Sequence, residues 1–95
     1  MGRKSRAELL YEEVKEDYEE ETGSWIVIYD FPRMKAHSNF WDNVHRVNTL
    51  VGEGSLIQNS VYMTPSKRGA VTILKLARHY GAETFMYRAE VMDIE

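Results

Sequence analysis

The 95-residue sequence contains no cysteine. That excludes a disulfide framework and any thiolate-held metal. It fits a reducing compartment, and a cytoplasmic location is the expectation. Proline occurs only twice, at Pro32 and Pro65, so the breaks it imposes are few. No apolar run approaches the ~20 residues that cross a bilayer, so no membrane association is expected. The basic start, Arg3-Lys4-Ser5-Arg6, is not followed by an apolar core, and no secretion signal is read there. A large charge surplus is also missing, the net charge being −3. Residues 1–24 hold four Lys/Arg and eight Asp/Glu, while residues 25–95 hold eight and seven. The first part is acidic and the second near neutral. Neither has the excess of cations that draws nucleic acid by itself.

What is present is the pattern of one small globular domain. A chain this short buries only ~60–65% of its unfolded surface, so its core is thin and pairing with a second copy is favoured. Residues 6–21, RAELLYEEVKEDYEEE, have helical composition, with Leu10, Val14 and Tyr18 at i, i+4 and i+8. Thr22-Gly23-Ser24 stops that helix. The segment 1–24 reads as an acidic helical arm, mostly solvated or else partner-binding, with its first five residues unstructured. Residues 25–95 form the body.

In the body, residues 25–29 (WIVIY) suit a buried central strand covered on both faces. A loop containing Pro32 follows. Ser38 is an N-cap candidate for a helix carrying Phe40, Val44, Val47, Leu50 and Val51, which Gly52 and Gly54 end. Residues 56–63 (LIQNSVYM) read as one strand. Thr64 then caps a second helix with Pro65 in its first turn. Val71, Ile73, Leu74, Leu76 and Ala77 carry that helix and Gly81 ends it. Residues 83–94 read as one long alternating strand, long enough for its far end to pair outside the protomer. Strands alternating with helices predict an α/β sandwich, one sheet with two helices on one face.

The stretch Tyr29-Asp30-Phe31-Pro32, followed by Gln58, Ser60, Val61 and Tyr62 after Gly52 and Gly54, resembles the CRISPR-associated protein two family, here Cas-two. The resemblance covers residues 25–64 well and 65–95 in outline, as for a divergent member. It implies a ferredoxin-like βαββαβ domain and a homodimer. It also implies a role in CRISPR adaptation, either as a Mg²⁺-dependent endonuclease on RNA or DNA or as a scaffold holding duplex DNA for the integrase subunit. The aspartate ending the first strand is the family's metal-ligand position, so Asp30 inherits the catalytic and Mg²⁺ role. Two departures stand out. A 24-residue arm precedes the first strand, and the family's third strand is short or missing, since Thr64-Pro65 leaves it no room.

The residues themselves leave alternatives open. Asp30 either holds Mg²⁺, which takes oxygen donors and keeps several waters, or caps its loop. Arg33 and Lys35 are phosphate-contact candidates or solvated loop charge. Arg68, Lys75 and Arg78 lie close in angle on the second helix as a phosphate stripe or a solvated face. Gln58, Ser60 and Tyr62 are candidates for the dimer interface. His37, His45 and His79 have no metal spacing, and only His37 lies near the Asp30 loop. The competing functional reading is a non-enzymatic dimeric interaction module whose acidic arm binds a protein partner.

Overall fold

The computed structural model describes residues 3–32, 38–58 and 60–94. Three helices and four strands follow one another: α1 (Arg6–Asp17), β1 (Thr22–Asp30), α2 (Ser38–Val51), β2 (Ser55–Gln58), β3 (Val61–Ser66), α3 (Lys67–His79) and β4 (Glu83–Ala89). The strands form one antiparallel sheet in the order β2-β3-β1-β4. After α1 the chain is therefore a complete βαββαβ unit, a ferredoxin-like α/β sandwich.

The strand expected to be short or missing is present. Residues 56–63 are not one strand but parts of two, β2 and β3, which pair antiparallel with Gln58 opposite Val61. Ser60, a turn-forming type, precedes β3 in a turn, and Asn59 lies outside the described residues. The helix start is displaced for the same reason. Thr64 and Pro65 remain in β3, with Thr64 opposite Trp25. The N-cap of α3 is Ser66, whose hydroxyl accepts from the Gly69 amide at 2.9 Å. Pro65 is tolerated in the strand because the β1–β3 ladder is irregular between Thr22 and Trp25, so a missing donor costs little there.

Strand β4 is shorter than its alternation suggests. Its last pair is Ala89 with Ser24. Among the described residues, none beyond it joins a ladder, and Val91 and Ile94 are 80% and 84% exposed.

The core lies between one sheet face and the helices. Trp25, Val27, Tyr29 and Tyr62 point from β1 and β3 into a cluster with Phe40, Val44 and Val47 of α2 and Ala70, Ile73, Leu76 and Ala77 of α3. Phe31, Trp41 and Tyr80 extend it as an aromatic edge around Phe40. Strand β1 is central, as its apolar run implies, but only this face is covered. Ile28, on the other, is 37% exposed.

Helix α1 packs on α2 and α3, with Ala7 and Val14 fully buried. Ser5 caps it. Its hydroxyl accepts from the Glu8 amide while the Glu8 carboxylate accepts from the Ser5 amide, at 3.2 and 3.4 Å. A buried amide of the first turn, on Ala7, donates to Oδ1 of Asn43 at 2.8 Å, fixing α1 against α2. Thr22-Gly23-Ser24, read from sequence as a stop, opens β1.

Candidate functional site

Side chains alternate along a strand, and residues paired across an antiparallel ladder share a face. Ile26 pairs with Met63 and Tyr87, and Ile28 with Val61 and Phe85. These six residues therefore form the centre of the sheet face that carries no helix. Phe85 and Tyr87 are 56% and 54% exposed. The face is apolar, antiparallel and open.

Asp30 closes one end of this face. It follows the same alternation as Ile26 and Ile28, is exposed, and lies opposite Glu83 in the ladder. Among the described residues neither carboxylate has an ion-pair partner. Two carboxylates side by side are the hard oxygen donors that Mg²⁺ accepts. Among the described residues, no group of three or more His, Cys, Asp or Glu gathers as a metal cage.

The other residues singled out from sequence are dispersed. Arg33, Lys35 and His37 lie outside the described residues. Arg68, Lys75 and Arg78 share α3 but not a destination. The Arg68 guanidinium turns to the C-terminus of α1, where Nε donates to the Tyr18 carbonyl at 2.8 Å and Nη2 to that of Lys15 at 3.3 Å. A cation there satisfies carbonyls that the helix leaves free. Lys75 Nζ stands 5.9 Å from the centre of the Tyr18 ring. Arg78 Nε donates to Oγ1 of Thr84 at 2.7 Å, on the β4 side. The structure brings Arg68 and Lys75 together at Tyr18 and leaves Arg78 apart.

The interface candidates also separate. Gln58 ends β2, and Ser60 sits in the turn, accepting from the Tyr29 amide through its carbonyl at 3.0 Å. Tyr62 is fully buried, so it faces the core rather than a partner. Its hydroxyl donates to Oδ1 of Asn48, and a side chain at Gly54 would overlap that hydroxyl. Burial pushes the Tyr62 phenol up to about 12. Tyr29 beside it is pushed to the same value by burial and then by Tyr62. Among the described residues the buried Tyr29 hydroxyl has no hydrogen-bond partner.

Sequence reasoning missed Glu20. Its carboxylate accepts from the Ser66 hydroxyl at 2.6 Å, the Arg68 amide at 3.0 Å and the Glu21 amide at 3.1 Å. Burial alone would raise its pKa. The hydrogen bonds from Ser66, Arg68 and Glu21 and the Arg68 charge outweigh that and lower it. Glu21 in turn lies 3.0 Å from Arg88 Nη1 and 3.9 Å from Lys67 Nζ. Both cations stand over the Trp25 ring. No local spacing announces these contacts, which join residues 46 and 48 positions apart. Glu20 also lines an open cavity of about 400 Å³ with Val51, Glu53 and Pro65.

Among the described residues, no helix is long and apolar enough to cross a membrane. Compared with protein-family models, curated proteins and solved structures, the chain matches none of them.

Proposed function

We propose that the chain is a homodimeric, Cas-two-like subunit that acts on or holds the nucleic-acid backbone in the cytoplasm during CRISPR adaptation, alongside an integrase subunit. The observation that carries this reading is the open apolar sheet face ending in exposed Asp30. Apolar surface of this kind marks an interaction site. Two copies meeting through these faces would cover Ile28, Phe85 and Tyr87. They would bring the two Asp30–Glu83 pairs toward a shared axis. The exposed Val91, Met92 and Ile94 offer further apolar area beside β4.

In this reading Asp30 holds Mg²⁺, with Glu83 beside it. When bound, the ion supplies charge stabilisation at the phosphate and a more acidic water. The exposed position of Asp30 at a strand end leaves room for a nucleic-acid strand. Asp30 would direct its carboxylate at the phosphate backbone, and the β1–β4 ladder holds the residue at the strand end. Water adds to phosphorus, the ester P–O bond breaks, and the departing oxygen takes a proton.

The test is incubation of labelled RNA and duplex DNA with the protein in Mg²⁺ or EDTA, wild type against Asp30→Asn, with sedimentation run in parallel. The expected result is a dimer, cleavage in Mg²⁺ alone, and none by the variant. A monomer at tens of micromolar, or cleavage retained by Asp30→Asn, overturns the shared-axis site.

The alternative, a non-enzymatic dimeric module, draws support from α1 and the segment after it, where Glu13, Glu16, Asp17 and Glu19 are exposed. Stable binding of a basic protein partner without any nuclease activity would favour it.

A further inference from the structure

Seven consecutive residues, 15–21, hold four cationic side chains of the body. The Lys15 and Tyr18 carbonyls take the Arg68 guanidinium. The Tyr18 ring takes Lys75. The Glu21 carboxylate takes Arg88 and Lys67. Beyond residue 21 the sequence has eight Lys and Arg. Arg33 and Lys35 lie outside the described residues, so four of the other six are engaged by this one segment. The segment carries five acids and one lysine, a charge of −4 against −3 for the whole chain, so the rest of the molecule is at +1. The acidic segment thus lies directly against four of the body's cationic side chains.

We propose that residues 15–21 are an acidic strap covering a phosphate-backbone surface made by Lys67, Arg68, Lys75 and Arg88, which a duplex DNA uncovers by competition. This rests on the nucleic-acid reading above and adds its regulation. The strap is built to yield. Its last four residues, 18–21, are neither helix nor strand, and its ion pairs are solvent-exposed, a class that contributes little stability and weakens with salt. Its two ends are secured independently, one by the buried Val14 of α1 and the other by the β1 ladder. Release of the middle therefore does not require unfolding. A DNA strand offers the same chemistry as Glu20 and Glu21, anionic oxygens, at far higher charge density.

The experiment measures binding of a fluorescent duplex of about 20 base pairs to full-length protein across a salt series, wild type against Glu20→Gln/Glu21→Gln. The double variant is expected to bind roughly three- to tenfold tighter at low salt, with affinity falling more steeply as salt rises. Hydrogen exchange on the unaltered protein supplies a second reading, with amides of residues 18–21 and Arg68 exchanging faster once duplex is bound. A folded variant that binds no tighter than wild type overturns the strap and leaves the nucleic-acid role standing. Absence of binding by both forms overturns the strap and the DNA-holding role together. Should the variant fail to fold, unchanged exchange over residues 18–21 in duplex-bound wild type overturns the strap.

Discussion

The Glu20 carboxylate and the Ser66 hydroxyl, 46 residues apart in sequence, are joined by a 2.6 Å hydrogen bond. Ser66 is the N-cap of α3, and its oxygen also accepts from the Gly69 amide. One short contact thus ties the segment after α1 to the start of α3, where a helix favours negative charge.

Glu20 makes folding pH-dependent in a known direction. Its pKa is lowered in the folded state, so its contribution is present above the unfolded value of about 4.3 and is lost as pH falls through the folded value. Glu20→Gln should flatten the decline in melting temperature between about pH 5 and pH 3. Because the group is exposed, the effect at pH 7 should stay within about 1 kcal/mol. Thermal melts of both forms across that range measure it.

The arm is part of the core. Val14→Ala should cost about 1–2 kcal/mol, since it removes buried methyl groups and leaves a small void. Deleting residues 1–20 should cost more, because it also strips the Ala7 contact with Asn43 and uncovers α2 and α3. Urea unfolding checks both. A truncated chain with an unchanged midpoint would show that α1 only rests on the body.

Tyr29 and Tyr62 set the alkaline limit. Each phenol is pushed up to about 12. A raised pKa contributes stability below the unfolded value of about 10 that is lost as pH rises toward 12. Each tyrosine should account for about 2–3 kcal/mol of that loss. Tyr29→Phe should remove its share. It should also leave stability at pH 7 unchanged or up to about 1 kcal/mol higher, because a buried hydroxyl without a partner disappears. Melting temperatures at pH 7 and pH 11 give the comparison.

Asp30 faces Glu83 across the ladder, and like charges directly opposite one another destabilise a sheet. Asp30→Asn should therefore raise stability by about 0.2–1 kcal/mol while its proposed Mg²⁺ affinity falls. Added Mg²⁺ should raise the melting temperature of wild type and not of the variant. Equal shifts in both would remove Asp30 from the metal site.

Local chemistry made much of the fold readable. The apolar run of β1, the stripe of α3 and the stop at Gly81, whose φ is +92°, are signals within a few residues of what they specify. The errors came where two local signals compete or where the deciding partner is distant. Thr64-Pro65 has the chemistry of a helix start. Strand pairing with Trp25 held both residues in β3, and Ser66 took the cap instead. LIQNSVYM is flanked and filled by strand formers, so the break between β2 and β3 was hidden among them. Alternation continued to Ile94, but the β1–β4 ladder ends at Ala89 opposite Ser24. Ser5 with Glu8 is a capping box whose spacing is local and legible in the sequence. Asp30 was placed at its strand end from sequence. Its neighbour Glu83 and the contacts of Glu20 and Glu21 depend on tertiary register and were not.

Strand β1 lies between β3 and β4, and β4 is the last element of the fold to leave the ribosome. Its ladder runs from Ser24 with Ala89 to Asp30 with Glu83. During synthesis the most apolar strand must therefore wait, with one edge bare, until nearly all of the domain has been made. Closing so distant a pair is slow compared with forming any helix here. A nascent chain stalled before Glu83 would present that edge to other strands, which makes this interval the molecule's window for misassembly.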